Sequence, residues 1–79
     1  MAEQGEGMLP LALASEGSTV RVAMVKGDTD LRQHLAELGF VEGAEVKVFA
    51  HTGGDCIVSV KGSRFALNRS MANHVMVTP

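Results

Sequence analysis

Short stretches in which apolar and polar residues alternate recur along this chain, separated by turns that contain glycine. They lie at residues 18–25, 45–50, 56–61, 64–68 and 74–78. A period of two places every second side chain on the same face, which is typical of β-strands with one buried face. A sheet of such short strands must curl in order to enclose a core, so the pattern favours a small, strongly bent β domain.

A single helix is predicted after the first of these strands. Its three leucines follow the helical spacing i, i+4 and i+7, and they are Leu31, Leu35 and Leu38. Asp28 or Thr29 is a suitable N-terminal cap, and Gly39 stands where a left-handed residue commonly ends a helix. The expected fold class is therefore mainly β, a small SH3-like barrel of about five strands with one α-helix of about ten residues after the first strand.

The length and composition suit one domain. The chain has 79 residues, of which 46% are hydrophobic, enough for a single compact core. We assign residues 8–79 to this domain and interpret residues 1–7, which are acidic and contain glycine, as a disordered tail or a leader. The one cysteine, Cys56, cannot form an internal disulfide. No run approaches about 18 apolar residues, so we expect no direct insertion into a membrane.

The hairpin at residues 53–55 decides which way Cys56 points. If His51 paired directly with Cys56, Val46 and Val48 would point away from the side of the sheet that carries Val58. A three-residue turn instead gives one continuous apolar face, with the pairs Ala50–Val58 and Val48–Val60. In this register Cys56 points inward as a small core residue and His51 points outward.

The following hairpin agrees with this arrangement. A two-residue turn at Gly62-Ser63 would place Phe65 opposite Val60 and Leu67 opposite Val58. The predicted core combines these strands with the leucines of the helix. It contains Val20, Val22, Leu31, Leu35, Leu38, Val46, Val48, Val58, Val60, Phe65, Leu67, Val75 and Val77.

Charge and motifs argue against two classes of function. The formal net charge is −2, whereas nucleic-acid-binding domains usually carry a basic face. The glycines at 53 and 54 lack the pattern of a phosphate-binding loop. An inward Cys56 and an outward His51 cannot act as a nucleophile and its base. We therefore expect no nucleic-acid partner, no enzymatic activity and no cofactor.

Residues that could ligate a metal are few. Zinc in proteins usually takes four ligands, or three and a water molecule. The sequence has no Cys-x-x-Cys or His-x-x-x-His pair, so it predicts no metal site, with His51 and His74 as weak candidates only. A zinc ion held between two chains through an exposed histidine stays open as an alternative.

The outward-facing side of the predicted sheet is a candidate binding surface. If the valines face the core, Phe49 and Ile57 stand on the outer face, and we place His51 near them. A cluster of exposed apolar side chains on a small protein often marks an interaction site, and aromatic residues are enriched in interfaces. The alternative is that residues 8–13 fold over this face and cover it.

The residues of the helix and the turn after it resemble a known family. The segment 31–43 is similar to the signature R-x-x-L-x-x-[LM]-G-[LF]-x-x-G of the FeoA family, carried here by Arg32, Leu35, Leu38, Gly39, Phe40 and Gly43. The second half of the family pattern follows in order at Gly54-Asp55, Gly62, Ala66-Leu67, Ala72, Val75 and Val77. Two positions depart from it: Cys56 replaces a common proline, and Asn68 replaces a common arginine.

This resemblance implies a function in bacterial ferrous iron uptake. FeoA-like proteins are cytoplasmic accessories that bind FeoB, a membrane permease with a cytoplasmic GTP-binding region, and self-association is also possible. The barrel also resembles the C-terminal domain of iron-dependent repressors, which leaves a stand-alone metal-responsive regulatory domain as the alternative. A third class, an RNA-binding barrel, would need a basic stripe that the charge of this chain does not provide.

Overall fold

The structure is a computed structural model that describes residues 7–79, so the tail predicted at residues 1–7 lies almost wholly outside the described part. The strands are β1 (Leu9–Pro10), β2 (Thr19–Val25), β3 (Glu45–Thr52), β4 (Asp55–Val60), β5 (Ser63–Asn68) and β6 (Val75–Thr78). The helices are α1 (Thr29–Leu38), α2 (Arg69–Ala72) and a 3-10 helix (Leu11–Leu13). None of the helices within residues 7–79 has the length and apolar character needed to cross a membrane.

The strands form one antiparallel sheet in the order β1-β6-β2-β3-β4-β5. The predictions of a mainly β fold and of one main helix after the first long strand are confirmed. The strand count was too low, because Leu9 and Pro10 pair with Val77 and Met76 and so add a short strand. The expected closure is wrong, since β1 and β5 remain as two edges of an open sheet. Proline suits an edge because it has no N–H to donate to a second neighbour.

Helix α1 begins and ends where the sequence predicts. The side chain of Asp28 accepts a hydrogen bond of 2.8 Å from the backbone N–H of Leu31, which satisfies a free donor of the first turn. Gly39 has a φ of 114° and ends the helix in the left-handed region. Leu35 is fully buried, while Leu31 and Leu38 pack against the core from its margin.

The core contains most of the predicted residues and four that the sequence analysis did not include. Phe65 joins Leu31 and Leu38 as a partly buried contact, and the other predicted residues are buried. The additional buried residues are Leu11, Ala14, Phe40 and Ala72. The rings of Phe40 and Phe65 meet edge to face, with centroids 5.6 Å apart and planes at 80°. Such a contact stabilises beyond the buried area alone, so Phe40 anchors the segment after α1 to β5.

The β3–β4 hairpin differs from the predicted register. Its turn consists of Gly53 and Gly54 alone, so Thr52 pairs with Asp55 and His51 pairs with Cys56. A β-bulge at Phe49 then shifts the register, and beyond it the pairs are Val48–Val58 and Val46–Val60. The expected pairs Ala50–Val58 and Val48–Val60 are therefore wrong. Because a bulge inserts one extra residue, it reverses the facing of the strand, so the valines stay buried even though His51 pairs with Cys56.

The turn of the β4–β5 hairpin lies one residue earlier than predicted, and each residue of β4 therefore pairs with a residue of β5 two positions earlier. Lys61 and Gly62 occupy the turn with positive φ values of 53° and 82°, and Val60 pairs with Ser63. Phe65 consequently lies opposite Val58 rather than Val60. A shift of two in the pairing keeps each side chain on its predicted face, which is why the apolar pattern alone did not reveal the error.

Strand β2 contains a second irregularity. Its register against β6 shifts between Val22 and Met24, which leaves Ala23 as the extra residue. The alternation predicts Met24 on the same side as Val22, yet Met24 is exposed and Val25 packs against the core. The bulge again exchanges the two faces of the strand beyond it.

Candidate functional site

The outer face, which we define as the side of β3–β5 away from the core, carries an apolar pair. Phe49 is 38% exposed, and Ile57 is half-buried. The bulge places Phe49 and Ala50 together opposite Ile57, because two residues of β3 there face one residue of β4. The prediction that Phe49 and Ile57 share the outer face is confirmed by this geometry.

Two cations flank the exposed ring of Phe49. The guanidinium carbon of Arg64 lies 4.1 Å from the ring centroid, and the Nζ of Lys47 lies 5.9 Å from it. Cations at these distances are attracted by the negative face of an aromatic ring. Neither cation was among the residues predicted for this site. Their proximity could have been predicted from the correct strand register, because Lys47 of β3 and Arg64 of β5 both pair directly with Ser59 of β4.

His51, the third residue predicted for partner binding, lies on the other side of the sheet from Phe49. It pairs with the buried Cys56, and cross-strand partners share a side of the sheet. Its Nε2 lies 2.6 Å from the carbonyl oxygen of Ala14, and its backbone N–H donates to a carboxylate oxygen of Glu16 at 2.7 Å. The expectation that His51 points outward beside Phe49 is therefore wrong, and its contacts tie β3 to the segment that precedes β2.

The segment at residues 8–13 does not cover the outer face. Leu11 is fully buried in the core, and β1 pairs with β6 at the edge of the sheet farthest from β5. The alternative that this segment folds over Phe49 is therefore wrong, and within the described residues Phe49 remains open to a partner.

A small cavity lies beside Cys56 at the end of the β3–β4 hairpin. It is lined by Ala12, His51, Gly53, Gly54, Asp55, Cys56 and Arg69. Cys56 is 2% exposed, which confirms that it points inward, and burial raises the pKa of its thiol. A raised pKa lowers the fraction of the nucleophilic thiolate, so Cys56 has the properties of a core residue rather than a reactive one.

The two histidines considered as metal candidates both contact backbone carbonyls. His74 places Nδ1 2.7 Å from the carbonyl oxygen of Ser70, in the same way that His51 contacts Ala14. Among residues 7–79, no three or more His, Cys, Asp and Glu side chains converge in a group able to hold a metal ion. His51 and Cys56 line one cavity, but the structure does not bring His74 to it.

Comparison with known proteins agrees with the sequence resemblance. Residues 9–79 match the FeoA domain family. The protein "Putative Fe(2+) transport protein A" of Methanocaldococcus jannaschii is 37% identical over 70 residues, which cover 89% of this chain and 85% of that protein.

Solved structures with the same fold include members of that family. The crystal structure of an iron uptake regulatory protein, FeoA, is 34% identical with a TM-score of 0.83, and the match covers 91% of this chain and 97% of the other. Stenotrophomonas maltophilia FeoA, crystallised with zinc and described as a procaryotic SH3 domain protein, is 32% identical with a TM-score of 0.77, covering 87% and 88%.

A likeness of fold alone extends to larger proteins. A manganese-dependent transcriptional repressor has a TM-score of 0.83 but 20% identity, and the match covers 92% of this chain and 42% of the repressor. The sheet and helix described above are therefore shared with one part of a longer regulatory chain.

Proposed function

This chain belongs to the FeoA domain family of ferrous iron transport accessory proteins, and we propose that it acts by binding the cytoplasmic region of a FeoB-type permease. In this proposal it works in the cytoplasm and has no catalytic step of its own. The observation that carries the proposal is the exposed ring of Phe49 beside Ile57 on the outer face. A clustered apolar surface of this kind is typical of an interaction site, whereas scattered apolar residues are not.

We propose Phe49 and Ile57 as the contact residues. Phe49 offers a large ring on a bulged strand, and aromatic side chains frequently dominate the binding energy of interfaces. His51 takes a different role in this proposal: through Ala14 and Glu16 it holds the end of β3 in place, so that the bulge presents Phe49 outward.

Binding of the chain to the purified cytoplasmic region of the permease tests this proposal. Phe49→Asp and Ile57→Lys each introduce a charge where an apolar contact is expected, and each should weaken binding by about tenfold or more. Val41→Asp is the matched control, because Val41 is also 38% exposed but lies in the loop after α1 and not on the strands that carry Phe49 and Ile57. Circular dichroism and amide NMR spectra confirm that each variant is folded.

The outcomes separate three cases. Loss of binding in the folded Phe49 and Ile57 variants, with binding retained by Val41→Asp, supports the proposed surface. Full binding by all three variants moves the docking surface elsewhere, and the helix face around Arg32 and His34 becomes the next candidate. Failure of the unsubstituted chain to bind the permease region contradicts the proposed function itself.

The alternative function, a stand-alone metal-responsive regulatory domain, is supported by the likeness of fold to the repressor. It requires one tight site for Fe(II) or Mn(II) in the isolated chain. Anaerobic equilibrium dialysis with each ion distinguishes the two functions, since a stoichiometric, saturable site would favour regulation and the accessory function requires none.

A further inference from the structure

Four polar side chains form a continuous row across the outer side of four neighbouring strands. The register pairs Thr19 with Lys47, Lys47 with Ser59, and Ser59 with Arg64. The neighbours of these residues along their strands, such as Val46 and Val58, are buried, so the row faces away from the core. It contains two hydroxyl groups and two cations, and all four can donate hydrogen bonds.

Arg64 is held in a defined orientation within this row. Its guanidinium lies over the ring of Phe49, with the Cζ atom 4.1 Å from the centroid. A guanidinium that stacks on an aromatic ring in this way keeps the N–H groups at its edge free for in-plane hydrogen bonds. Those N–H groups match the two oxygens of a carboxylate, and a pre-oriented side chain loses less freedom when it binds one.

The charges around the row are mostly positive. Lys61 lies in the turn between β4 and β5 and lines the same shallow depression as Lys47 and Ser59. One acidic residue, Glu45, also lines this depression, and it is the register partner of Arg21 on β2. The surface around the row therefore has a local excess of positive charge, although the formal net charge of the whole chain is −2.

We infer that the row of Thr19, Lys47, Ser59 and Arg64, together with Phe49, binds an acidic, extended segment of a protein partner. A carboxylate binds the edge of the Arg64 guanidinium, a second acidic group lies near Lys47, and an apolar side chain contacts Phe49 and Ile57. The inference rests on the proposed function, because it identifies the chemistry that the permease region would present to the outer face.

Charge distinguishes this partner from other anionic ones. Binding to anionic lipid surfaces usually needs clusters of 4–8 basic residues. Binding to nucleic acid gains most of its affinity from many phosphate contacts. The row has only two cations with Lys61 beside them, and it alternates them with hydroxyl groups at the cross-strand spacing. Few, directed donors beside one aromatic ring fit a peptide with carboxylates and an apolar residue.

Amide NMR titration of the 79-residue chain tests the inference directly. The probe is a blocked peptide of alternating glutamate and leucine, and the control peptide replaces every glutamate with glutamine. We expect saturable shifts at Lys47, Phe49, Ser59 and Arg64 with the glutamate peptide only, weakening as salt is added. Arg64→Glu and Lys47→Glu should each raise the Kd about tenfold or more, because they place like charges together. Lys26→Glu, at an exposed position outside the row, should leave it unchanged.

The result that overturns the inference is the absence of shifts in the row, or equal shifts with both peptides. Amide shifts in the row that appear with vesicles of phosphatidylcholine and phosphatidylserine but not with the peptide would mean that the row binds a membrane surface. That result would also overturn the inference. The permease assay separates this inference from the proposed function. If the unsubstituted chain and Arg64→Glu bind the permease region equally well, the acidic partner is contradicted and the proposed function still holds. If the unsubstituted chain does not bind the permease region at all, the proposed function itself is contradicted.

Discussion

The Nε2 atom of His51 lies 2.6 Å from the carbonyl oxygen of Ala14, and this contact joins the end of β3 to a segment 37 residues earlier in the chain. The Ala14 residue is buried and the contact itself is partly buried. A hydrogen bond of this kind makes a modest net contribution to the free energy of folding, so His51 stabilises the hairpin that presents Phe49.

Replacement of His51 by alanine should therefore destabilise the fold. We expect His51→Ala to lower the free energy of unfolding by about 1 kcal/mol, because the hydrogen bond to the carbonyl of Ala14 is lost. Chemical denaturation measures the change, and His34→Ala, an exposed histidine of α1, serves as the control with an effect under about 0.5 kcal/mol. Equal effects of the two substitutions would show that the contact contributes nothing to stability.

Leu35 is the fully buried residue of α1, and its truncation should leave a cavity between the helix and the sheet. Leu35→Ala should lower the free energy of unfolding by about 2–5 kcal/mol. Leu31→Ala is a matched control on the same helix, and its effect should be smaller because Leu31 is only half-buried. A loss below about 0.5 kcal/mol at Leu35 in urea denaturation would contradict its place in the core.

The burial of Cys56 predicts slow reaction with thiol reagents. The native chain should react with a disulfide reagent such as dithionitrobenzoate far more slowly than the chain in denaturant, because the thiol is 2% exposed and its pKa is raised. A short cysteine-containing peptide calibrates the reagent. Equal rates in the native and the denatured chain would mean that Cys56 is open to solvent.

The same thiol should make stability fall at alkaline pH. Burial raises the pKa of Cys56 in the folded chain above its ordinary value of 9.0, so the folded state favours the protonated form. The stability that the protonated thiol contributes is fully present below the pKa of Cys56 in the unfolded chain. It is lost as pH rises from there through the pKa of Cys56 in the folded chain, and the free energy of unfolding falls by at most about 1.4 kcal/mol per pH unit.

Comparison with Cys56→Ala isolates this effect, since the variant has no thiol to titrate. The difference in unfolding free energy between the two chains should stay constant below the ordinary thiol pKa and then shrink as pH rises. A difference that is independent of pH throughout would show that the thiolate is equally stable in both states.

Gly39 should tolerate alanine poorly for two reasons. Its φ of 114° is one that L-residues rarely adopt, and an added Cβ would lie 3.3 Å from Val60 Cγ1. Gly39→Ala should lower the free energy of unfolding by about 2–3 kcal/mol. Gly53→Ala is the control, because its φ of 59° lies in the ordinary left-handed region with open space around it, and about 1 kcal/mol is expected. Thermal unfolding that ranks the two in the opposite order would contradict this account.

The sequence alone determined the features that depend on neighbours along the chain. The cap at Asp28 and the left-handed end at Gly39 follow from interactions within about one helical turn. The spacing of the leucines is also local, and it identified Leu35 as lying on the side of the helix that is buried. Alternation likewise predicted the inward facing of the valines of β3 and β4, since the period of two is a local property of an extended backbone.

Only the tertiary structure decided how the strands meet. The bulges at Ala23 and Phe49 could not be predicted from the alternation, because each one depends on how its strand pairs with a neighbouring strand that is distant in the sequence. The outward side of Met24, the inward side of His51 and the edge strand at Leu9 follow from those long-range pairings. The stack of Arg64 on Phe49 has the same origin, since it joins residues that become neighbours only when three strands take one register.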